Sequence, residues 1–182
     1  MGAFWVGERV RLRGVEAGDW GVFMRFAEEE ELLADLVQVP RSGERFRAWA
    51  GEEAGAAGDG DLFRLVVEEV RTGDAVGSVG VHRADPRAGV FEYGVTIGAG
   101  HRREGYAAEA VVMLLRYMFD ERRFHKCEAR VFAHNEASLA FQRRLGFVEE
   151  GRLRDHVFHG GRHHDLVLLG MLGREFAPSH RE

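Results

Sequence analysis

Residues 89–119 constrain the fold most, because a β-rich apolar run, a loop of glycine and arginine, and a segment with helical spacing follow one another directly. The first part, residues 90–97, is rich in β-branched and aromatic side chains and ends at Gly98 and Gly100, which predicts a strand. From Gly105 onward, alanines and long aliphatic side chains recur on one broad face, which predicts a helix packed on a sheet. The pattern is therefore strand, tight loop and helix N-terminus.

The loop before this helix has the composition of an anion site. A helix start leaves several backbone N–H groups without intrahelical acceptors and carries the positive end of the helix dipole. His101, Arg102 and Arg103 add basic side chains, and Gly105 permits a ligand to approach the backbone closely. An ordinary β–α turn with solvated arginines is the alternative. Neither the G-x-G-x-x-G dinucleotide pattern nor the G-x-x-x-x-G-K-[ST] phosphate loop occurs here.

Two motifs give the chain a family resemblance. The loop Arg102-Arg103-Glu104-Gly105-Tyr106-Ala107 resembles the R/Q-x-x-G-x-G/A loop of the GNAT superfamily of N-acetyltransferases, which holds the pyrophosphate of acetyl-CoA. The segment from Asn135 to Phe147 is similar to the N-x-x-[AS] helix of that superfamily, which ends in L-G-F. The order and spacing of the motifs fit, and the resemblance covers nearly the whole chain. It is closest to the RimJ/RimL-like branch of ribosomal-protein N-terminal acetyltransferases.

The resemblance implies acetyl-CoA as co-substrate and a splayed pair of strands that admits its pantetheine arm. The strands would be residues 90–97 and 126–133, with the arm pairing to the backbone near the end of the first. Asn135 would position the pantetheine amide; alternatively, it caps the helix that begins at Glu136. The implied cofactor-binding residues are Val95, Thr96, Ile97, Arg102, Arg103, Glu104, Gly105, Tyr106, Ala107, Asn135 and Phe141.

The implied reaction is direct attack of an amine on the acetyl thioester, since no residue is set up as a nucleophile. Glu92, just before the cofactor segment, is the candidate general base, acting through water; an ordinary strand carboxylate with a cross-strand partner is the alternative. Many superfamily members carry a tyrosine seven residues after the motif asparagine, where this chain has Gln142. The resemblance to the ribosomal-type branch suggests Ser138 as the substitute that stabilises the departing thiolate; alternatively, Ser138 only caps or hydrogen-bonds within its own helix.

The bulk properties of the chain limit its size class and its partners. With 182 residues, 45% of them hydrophobic, residues 1–182 are expected to form one domain. The net charge of −5 gives no general attraction for nucleic acid, and no N-terminal apolar segment has signal or membrane length. The single Cys127 cannot form an internal disulfide and is expected to be a buried thiol, so a cytoplasmic setting is predicted. A homodimer is left open.

The succession of patterns predicts an α/β (α+β) fold, with a mixed, mostly antiparallel sheet of about seven strands flanked by helices. Only the strand–helix–strand unit of residues 90–133 needs a parallel pair, and its crossover should be right-handed. The predicted strands are residues 8–13, 62–69, 75–83, 90–97, 126–133, 147–153 and 165–172. The predicted helices are one capped by Asp19, one over Leu32 to Val37, and three that begin at Ser42, Gly105 and Glu136.

Two classes of function follow. The first is an acetyl-CoA-dependent N-acetyltransferase that acts on a protein N-terminus, a polyamine or another small amine such as an aminoglycoside. The second is an acyl-CoA-binding sensor or structural protein of GNAT fold without efficient turnover, which the absent tyrosine leaves open. Four histidines between His156 and His164 could ligate zinc, but Gly160-Gly161 has the composition of a hairpin tip, and no cysteine or nearby carboxylate pair completes a site. No metal is therefore expected, and we interpret these residues as a loop beside the acceptor.

Overall fold

A computed structural model of the chain describes residues 4–29, 39–56, 58 and 60–180. The strands are β1 (Val10–Gly14), β2 (Phe63–Glu69), β3 (Ala75–Asp85), β4 (Val90–Ile97), β5 (Lys126–Phe132), β6 (Val148–His159) and β7 (Arg162–Leu172). The α-helices are α1 (Trp20–Glu28), α2 (Gly43–Ala54), α3 (Tyr106–Arg116), α4 (Glu136–Leu145) and α5 (Gly173–His180). The helix predicted over Leu32 to Val37 lies outside the described residues.

Within the described residues, the seven strands form one sheet in the order β1-β2-β3-β4-β5-β7-β6. Neighbouring strands run antiparallel, except for β4 and β5, which are parallel. A parallel pair needs a long crossover connection, and helix α3 lies in the connection between these two strands. The predicted mixed, mostly antiparallel sheet with flanking helices is confirmed.

The parallel strands β4 and β5 separate soon after they begin. They share only three register pairs, the last of which joins Glu92 to Glu128. Beyond that point β4 stays paired with β3 as far as Ile97, and β5 stays paired with β7 as far as Phe132. The two strands therefore border an opening in the sheet at their C-terminal ends, which is the predicted splay.

Successive residues along a strand point to opposite faces, so the sheet carries a core on each side. Val67 of β2 belongs to the larger core, which includes side chains of α3 and α4, whereas its neighbour Val66 belongs to a smaller core with α1 and α2. In the smaller core, the rings of Phe23 and Trp49 meet edge-on with centroids 4.7 Å apart. Complete burial of either valine side chain stabilises the folded protein by roughly 1.5–3 kcal/mol.

The start of α1 differs from the predicted cap. Asp19 ends a short 3₁₀ turn, and its side chain makes no capping bond to the helix. The carboxylate instead accepts hydrogen bonds from both terminal nitrogens of Arg13 at 2.8 and 3.0 Å, and from the N–H of Glu16 at 2.8 Å. Burial alone would raise the pKa of Asp19, but these bonds lower it below its usual value. An ion pair to β1 therefore replaces the local cap.

Two other predicted helix boundaries are confirmed. The Ser42 side chain accepts a hydrogen bond from the N–H of Arg45 at 3.3 Å, which caps α2. Gly146 ends α4 with φ of 99°, a left-handed conformation that favours glycine. The N–H of Phe147 then donates to the carbonyl of Gln142 at 3.0 Å and closes the helix end.

The C-terminal third is more regular than predicted. Strands β6 and β7 run through the segment expected to be a histidine loop and leave only Gly160 and Gly161 as the turn, with φ of 57° and 80°. The predicted hairpin tip at Gly160 and Gly161 is confirmed. A two-residue turn of positive φ pairs its flanking strands whatever their polarity, so the hydrophobic pattern did not reveal how far these strands extend. Helix α5 was also not predicted; its Phe176 is fully buried, with its ring 5.5 Å from that of Phe119. Neither α5 nor any other helix in the described part of the chain is long and apolar enough to cross a bilayer.

Candidate active site

The loop between β4 and α3 contains two residues with left-handed backbone. Arg103 and Gly105 have φ of 68° and 83°. The left-handed conformation is unfavourable for an arginine and almost neutral for a glycine. Glycine is therefore the residue type that the turn requires at position 105. Gly105 is also the N-cap of α3 and has no side chain with which to cap it. The first turn of α3 thus offers N–H groups that no capping side chain occupies, as an anion site requires.

The basic side chains of this loop have different surroundings. Arg102 turns back to β4, where its Nε donates to the carbonyl oxygen of Ile97 at 3.1 Å. Arg103 is exposed, whereas His101 is partly buried at the end of a 3₁₀ turn. Arg102 therefore fastens the loop to the end of β4, and Arg103 stays accessible from solvent.

A third arginine, which the motif did not indicate, reaches the loop from the start of β1. The Nη1 of Arg9 donates to the carbonyl oxygen of Glu104 at 3.3 Å, and it lies so close to Gly105 that a Cβ there would overlap it. In return, the carboxylate of Glu109 in α3 accepts the backbone N–H groups of residues 8, 9 and 10 at 2.5, 3.0 and 3.1 Å. These reciprocal bonds clamp the start of β1 to the start of α3.

Tyr106 holds the same loop against the turn between β2 and β3. Its hydroxyl donates to Oε1 of Glu69 at 2.9 Å, and the hydroxyl of Thr72 donates to Oε2 at 2.8 Å. The bonds from Thr72 and then Tyr106 lower the pKa of Glu69, and the bond to Glu69 raises the pKa of Tyr106. The loop is therefore fixed to three strands of the sheet: β1, β2 and β4.

Val95, Thr96 and Ile97 lie beside the opening in the sheet. They pair with β3, from Val79 opposite Val95 to Gly77 opposite Ile97. Among the described residues they have no register partner on β5. One edge of β4 can therefore accept the polar groups of an extended ligand, as a sheet edge accepts an added strand.

The start of α4 follows the C-terminal end of β5. Asn135 caps this helix, because its Oδ1 accepts the N–H of Ser138 at 2.9 Å. The capping alternative is thus observed, and a contact between Asn135 and a cofactor stays a prediction. Ser138 is half-buried in the first turn, and Phe141 is half-buried against the larger core.

Gln142, at the position where many superfamily members carry a tyrosine, makes a buried contact. The Oε1 of Gln142 accepts a hydrogen bond from the hydroxyl of Tyr93 at 2.8 Å, and both side chains are buried. Burial raises the pKa of Tyr93 far above its usual value, so the phenol keeps its proton. Gln142 therefore connects α4 to β4, a role that the sequence did not indicate.

Glu92 is 6% exposed and occupies the last paired position of β4 before the opening. Its carboxylate forms an ion pair with Arg83, its register partner on β3, and Oε2 lies 3.6 Å from Nε2 of His82. The hydrogen bond to Glu92 raises the pKa of Arg83. Glu92 and Glu128 help to line a cavity of about 210 Å³. The cross-strand partner foreseen in the alternative is thus present, and a role for Glu92 as a base stays a prediction.

Histidines from two segments meet at the end of the β6–β7 hairpin. The ring of His134 stacks on that of His159, with centroids 4.8 Å apart and planes at 11°, and its centroid lies 4.5 Å from that of His164. His163 instead contacts Phe158, with centroids 5.1 Å apart. Within the part of the chain that the structure describes, no three His, Cys, Asp or Glu side chains are grouped as a metal site.

Cys127 lies on β5 and is fully buried. Burial raises the pKa of its thiol well above the ordinary value, so the sulfur stays protonated. The predicted buried thiol is confirmed.

Comparisons with known proteins agree with this geometry. Residues 9–148 match the family model described as an acetyltransferase (GNAT) domain. The SPbeta prophage-derived uncharacterized N-acetyltransferase YokL of Bacillus subtilis is 30% identical over 177 residues, which cover 97% of each chain. The ribosomal protein uS5-alanine N-acetyltransferase of Escherichia coli is 31% identical over 85 residues, which cover 47% of this chain and 44% of that protein.

Solved structures share the fold. The spermidine N-acetyltransferase from Vibrio cholerae in complex with CoA and spermine matches with a TM-score of 0.81 and 22% sequence identity. The match covers 93% of this chain and 99% of that one. The arrangement of strands and helices is therefore common to the two proteins.

Proposed function

This chain belongs to the GNAT family of acetyltransferases and is an acetyl-CoA-dependent enzyme, and from that premise we propose that it transfers the acetyl group directly to a primary amine. The observation that carries the proposal is the opening between β4 and β5, together with the loop that ends at Gly105 on the same end of β4. An extended arm can enter such an opening, and an anion can bind such a helix start.

In the proposed complex, the diphosphate of acetyl-CoA binds the backbone N–H groups of residues 103–107. The left-handed backbone at Arg103 and Gly105 and the uncapped start of α3 support this placement. The pantetheine arm pairs with residues 95–97, and the amide of Asn135 and the ring of Phe141 contact the arm from α4. The acetyl group then lies near the point where β4 and β5 diverge.

In the proposed reaction, the neutral amine attacks the thioester carbonyl carbon, so that a C–N bond forms and the C–S bond breaks. The electron pair leaves with sulfur, and the amine nitrogen gives up one proton. An alkylammonium has a pKa of about 10 and an α-amino group about 8, so either acceptor must lose a further proton before attack at neutral pH. Glu92 is the proposed base, acting through water from the edge of the opening.

The departing thiolate needs only modest stabilisation, since a thiol has a pKa of about 8.5. The hydroxyl of Ser138 is the proposed donor to this sulfur. Its position in the first turn of α4, three residues after Asn135, supports the assignment. Gln142 is not part of the proposed chemistry because it is bonded to buried Tyr93.

The acceptor is proposed to be a protein N-terminus or a small amine. The relative from Escherichia coli acts on a ribosomal protein by name, and the structure from Vibrio cholerae contains spermine. We further propose that the chain forms one catalytic domain and that it works in the cytoplasm. Its single cysteine is buried and cannot form an internal disulfide, which is typical of proteins in a reducing compartment. The alternative of a CoA-binding sensor without turnover has no support from these relatives, which are named as acetyltransferases.

Release of free CoA thiol in the presence of a panel of amines tests the proposal. The panel contains peptides with free N-termini, spermidine and an aminoglycoside, with N-acetylated peptides and acetyl-CoA alone as blanks. The expected result is thiol release matched one to one by an acetylated amine in mass spectrometry. Tight CoA binding with no release above the blanks across the panel would contradict the proposal and favour the sensor.

A further inference from the structure

The end of the β6–β7 hairpin has one face that carries three basic side chains. His159 is the register partner of Arg162, and Val157 is the partner of His164. Because residues two apart on a strand share a face, His159, Arg162 and His164 lie together. Phe158 and its partner His163 belong to the opposite face, where their rings contact each other.

His134 adds a third imidazole to this face from the turn between β5 and α4. Its ring stacks on His159, and Nε2 of His164 lies 3.2 Å from the carbonyl oxygen of His159. Together with Gly160 and Arg162, the three imidazoles line a cavity of about 440 Å³. The stacked rings hold the wall in place, so the cavity is formed before any ligand arrives.

The described residues that line this cavity are basic or neutral. The guanidinium of Arg162 donates hydrogen bonds, and each neutral imidazole can add one N–H donor. None of the described residues that line the cavity is a carboxylate. The neighbouring carboxylate, Asp165, lies on the opposite face of β7 from His164. Its Oδ1 accepts the N–H of Asp155 at 3.1 Å, and its Oδ2 lies 3.6 Å from Arg152. A negative group in the cavity would therefore meet donors and a fixed positive charge.

The cavity is at the end of the sheet where β4 and β5 diverge. His134 lies two residues beyond the end of β5 and directly before Asn135, the cap of α4. The N–H of Ala133 donates to the carbonyl of Asp165 at 2.9 Å, which holds this turn against β7. Since β4 and β5 are parallel and diverge toward their C-terminal ends, the cavity and the opening lie at the same end of β5.

We propose that this cavity binds an anionic group of the acceptor, a carboxylate or a phosphate, and that the acceptor is an amine that also carries negative charge. This assignment rests on the proposed function, because it places the acceptor amine at the opening between β4 and β5. A polyamine such as spermidine brings only positive charge to Arg162 and is disfavoured by like-charge repulsion. A peptide N-terminus followed by an acidic residue has both groups that the site needs.

Matched acceptor pairs test the charge preference. Ala-Glu amide is compared with Ala-Gln amide for the carboxylate, and O-phosphoethanolamine with ethanolamine for the phosphate, with spermidine as the polycation. The expected result is a kcat/KM about tenfold higher for the anionic member of one pair, on the scale of a charge-assisted hydrogen bond. The pair that shows the preference identifies the anion. Equal rates within both pairs, or a preference for spermidine, would overturn the proposal.

Arg162→Gln removes the guanidinium from the cavity and should lower kcat/KM for the anionic acceptor until the tenfold preference is lost. Arg154→Gln, on the same hairpin and exposed, and His163→Asn, on its opposite face, are the matched controls and should keep the preference. Persistence of the preference in Arg162→Gln, or its loss in the controls, would contradict the assignment.

A binding measurement without turnover separates this inference from the proposed function. Nitrogen-15 spectra of the imidazole rings are recorded while inorganic phosphate is added at constant pH and ionic strength. Signals of His159 and His164 should shift in a saturable way and that of His163 should not, and Arg162→Gln should remove the shifts. If no amine is acetylated but these shifts appear, the transfer reaction is wrong and the anion site stands. Absence of the shifts in the wild type overturns the anion site.

Discussion

The guanidinium of Arg9 donates a hydrogen bond to the carbonyl oxygen of Glu104, 3.3 Å away, and so joins the start of β1 to the loop before α3. In a planar trans peptide the C=O and N–H groups point in opposite directions. This bond therefore turns the N–H of Gly105 away from Arg9. Because Glu109 holds the backbone of Arg9 in return, the loop is oriented before a ligand binds.

We expect Arg9→Gln to raise the KM for acetyl-CoA about three- to tenfold, since an exposed charge-assisted bond that orients the loop is lost. The kcat and the KM for the acceptor should stay within about twofold, because the residue touches neither reacting group. Initial rates with each substrate varied separately measure this. Arg87→Gln, in the turn between β3 and β4, is the control for loss of a surface arginine. An unchanged KM for acetyl-CoA would show that the clamp does not support the cofactor loop.

Gly105→Ala should weaken CoA binding and lower stability, because φ of 83° disfavours a side chain and the new Cβ would overlap Arg9. The left-handed conformation alone costs roughly 1 kcal/mol for a non-glycine residue. Titration calorimetry with CoA and thermal unfolding measure the two effects. Gly100→Ala is the matched control in the same loop, since a Cβ at Gly100 meets nothing within 4 Å. Equal behaviour of the two variants would remove Gly105 from the binding site.

Glu92 has two interpretations, a base or a structural partner of Arg83, and paired variants distinguish them. Glu92→Gln removes the base and the ion pair, whereas Arg83→Gln removes only the ion pair. If Glu92 is the base, kcat should fall about 10²-fold in Glu92→Gln and by much less in Arg83→Gln. Steady-state kinetics, with circular dichroism as a check on folding, decide the matter. Similar losses in both variants would assign Glu92 to structure.

Ser138→Ala should lower kcat about tenfold without changing CoA affinity, if the hydroxyl donates to the departing thiolate. The helix cap is preserved in this variant, because Asn135 accepts the backbone N–H of Ser138 and not its hydroxyl. Asn135→Ala, in contrast, should cost about 1 kcal/mol of stability through loss of the cap. Single-turnover rates and denaturant unfolding measure the two effects separately. A Ser138→Ala enzyme with wild-type kcat would exclude the hydroxyl from the reaction.

Features with a local physical cause could be predicted from the sequence. The strand, loop and helix around Gly105, the cap at Ser42 and the left-handed end at Gly146 each depend on residues within one or two turns of the chain. The parallel pairing of β4 and β5 followed from the crossover helix between them. The opening beyond Glu92 came from the family resemblance, since alternating patterns contain no information on where two strands separate.

Features that depend on distant partners could not be predicted in this way. Asp19 has the composition of a helix cap, but Arg13 on the neighbouring strand takes its carboxylate. Arg9 lies 95 residues from Glu104, and nothing in the alternation of β1 distinguishes it from the other arginines there. The histidines were expected in a loop because polar strands held by a glycine turn have no hydrophobic period.

The bond between Tyr93 and Gln142 joins residues 49 positions apart and explains why a glutamine occupies position 142. Tyr93→Phe should destabilise the protein by roughly 1–3 kcal/mol, because it leaves the buried amide oxygen of Gln142 without its donor. Gln142→Met should be similarly costly because it leaves the phenol without its acceptor, and the double variant should cost less than the sum. Urea unfolding of the four proteins gives the coupling energy. All variants should keep kcat within about threefold once folded, since neither group takes part in the proposed reaction. A large fall in kcat for Gln142→Met with little loss of stability would instead place Gln142 in the chemistry.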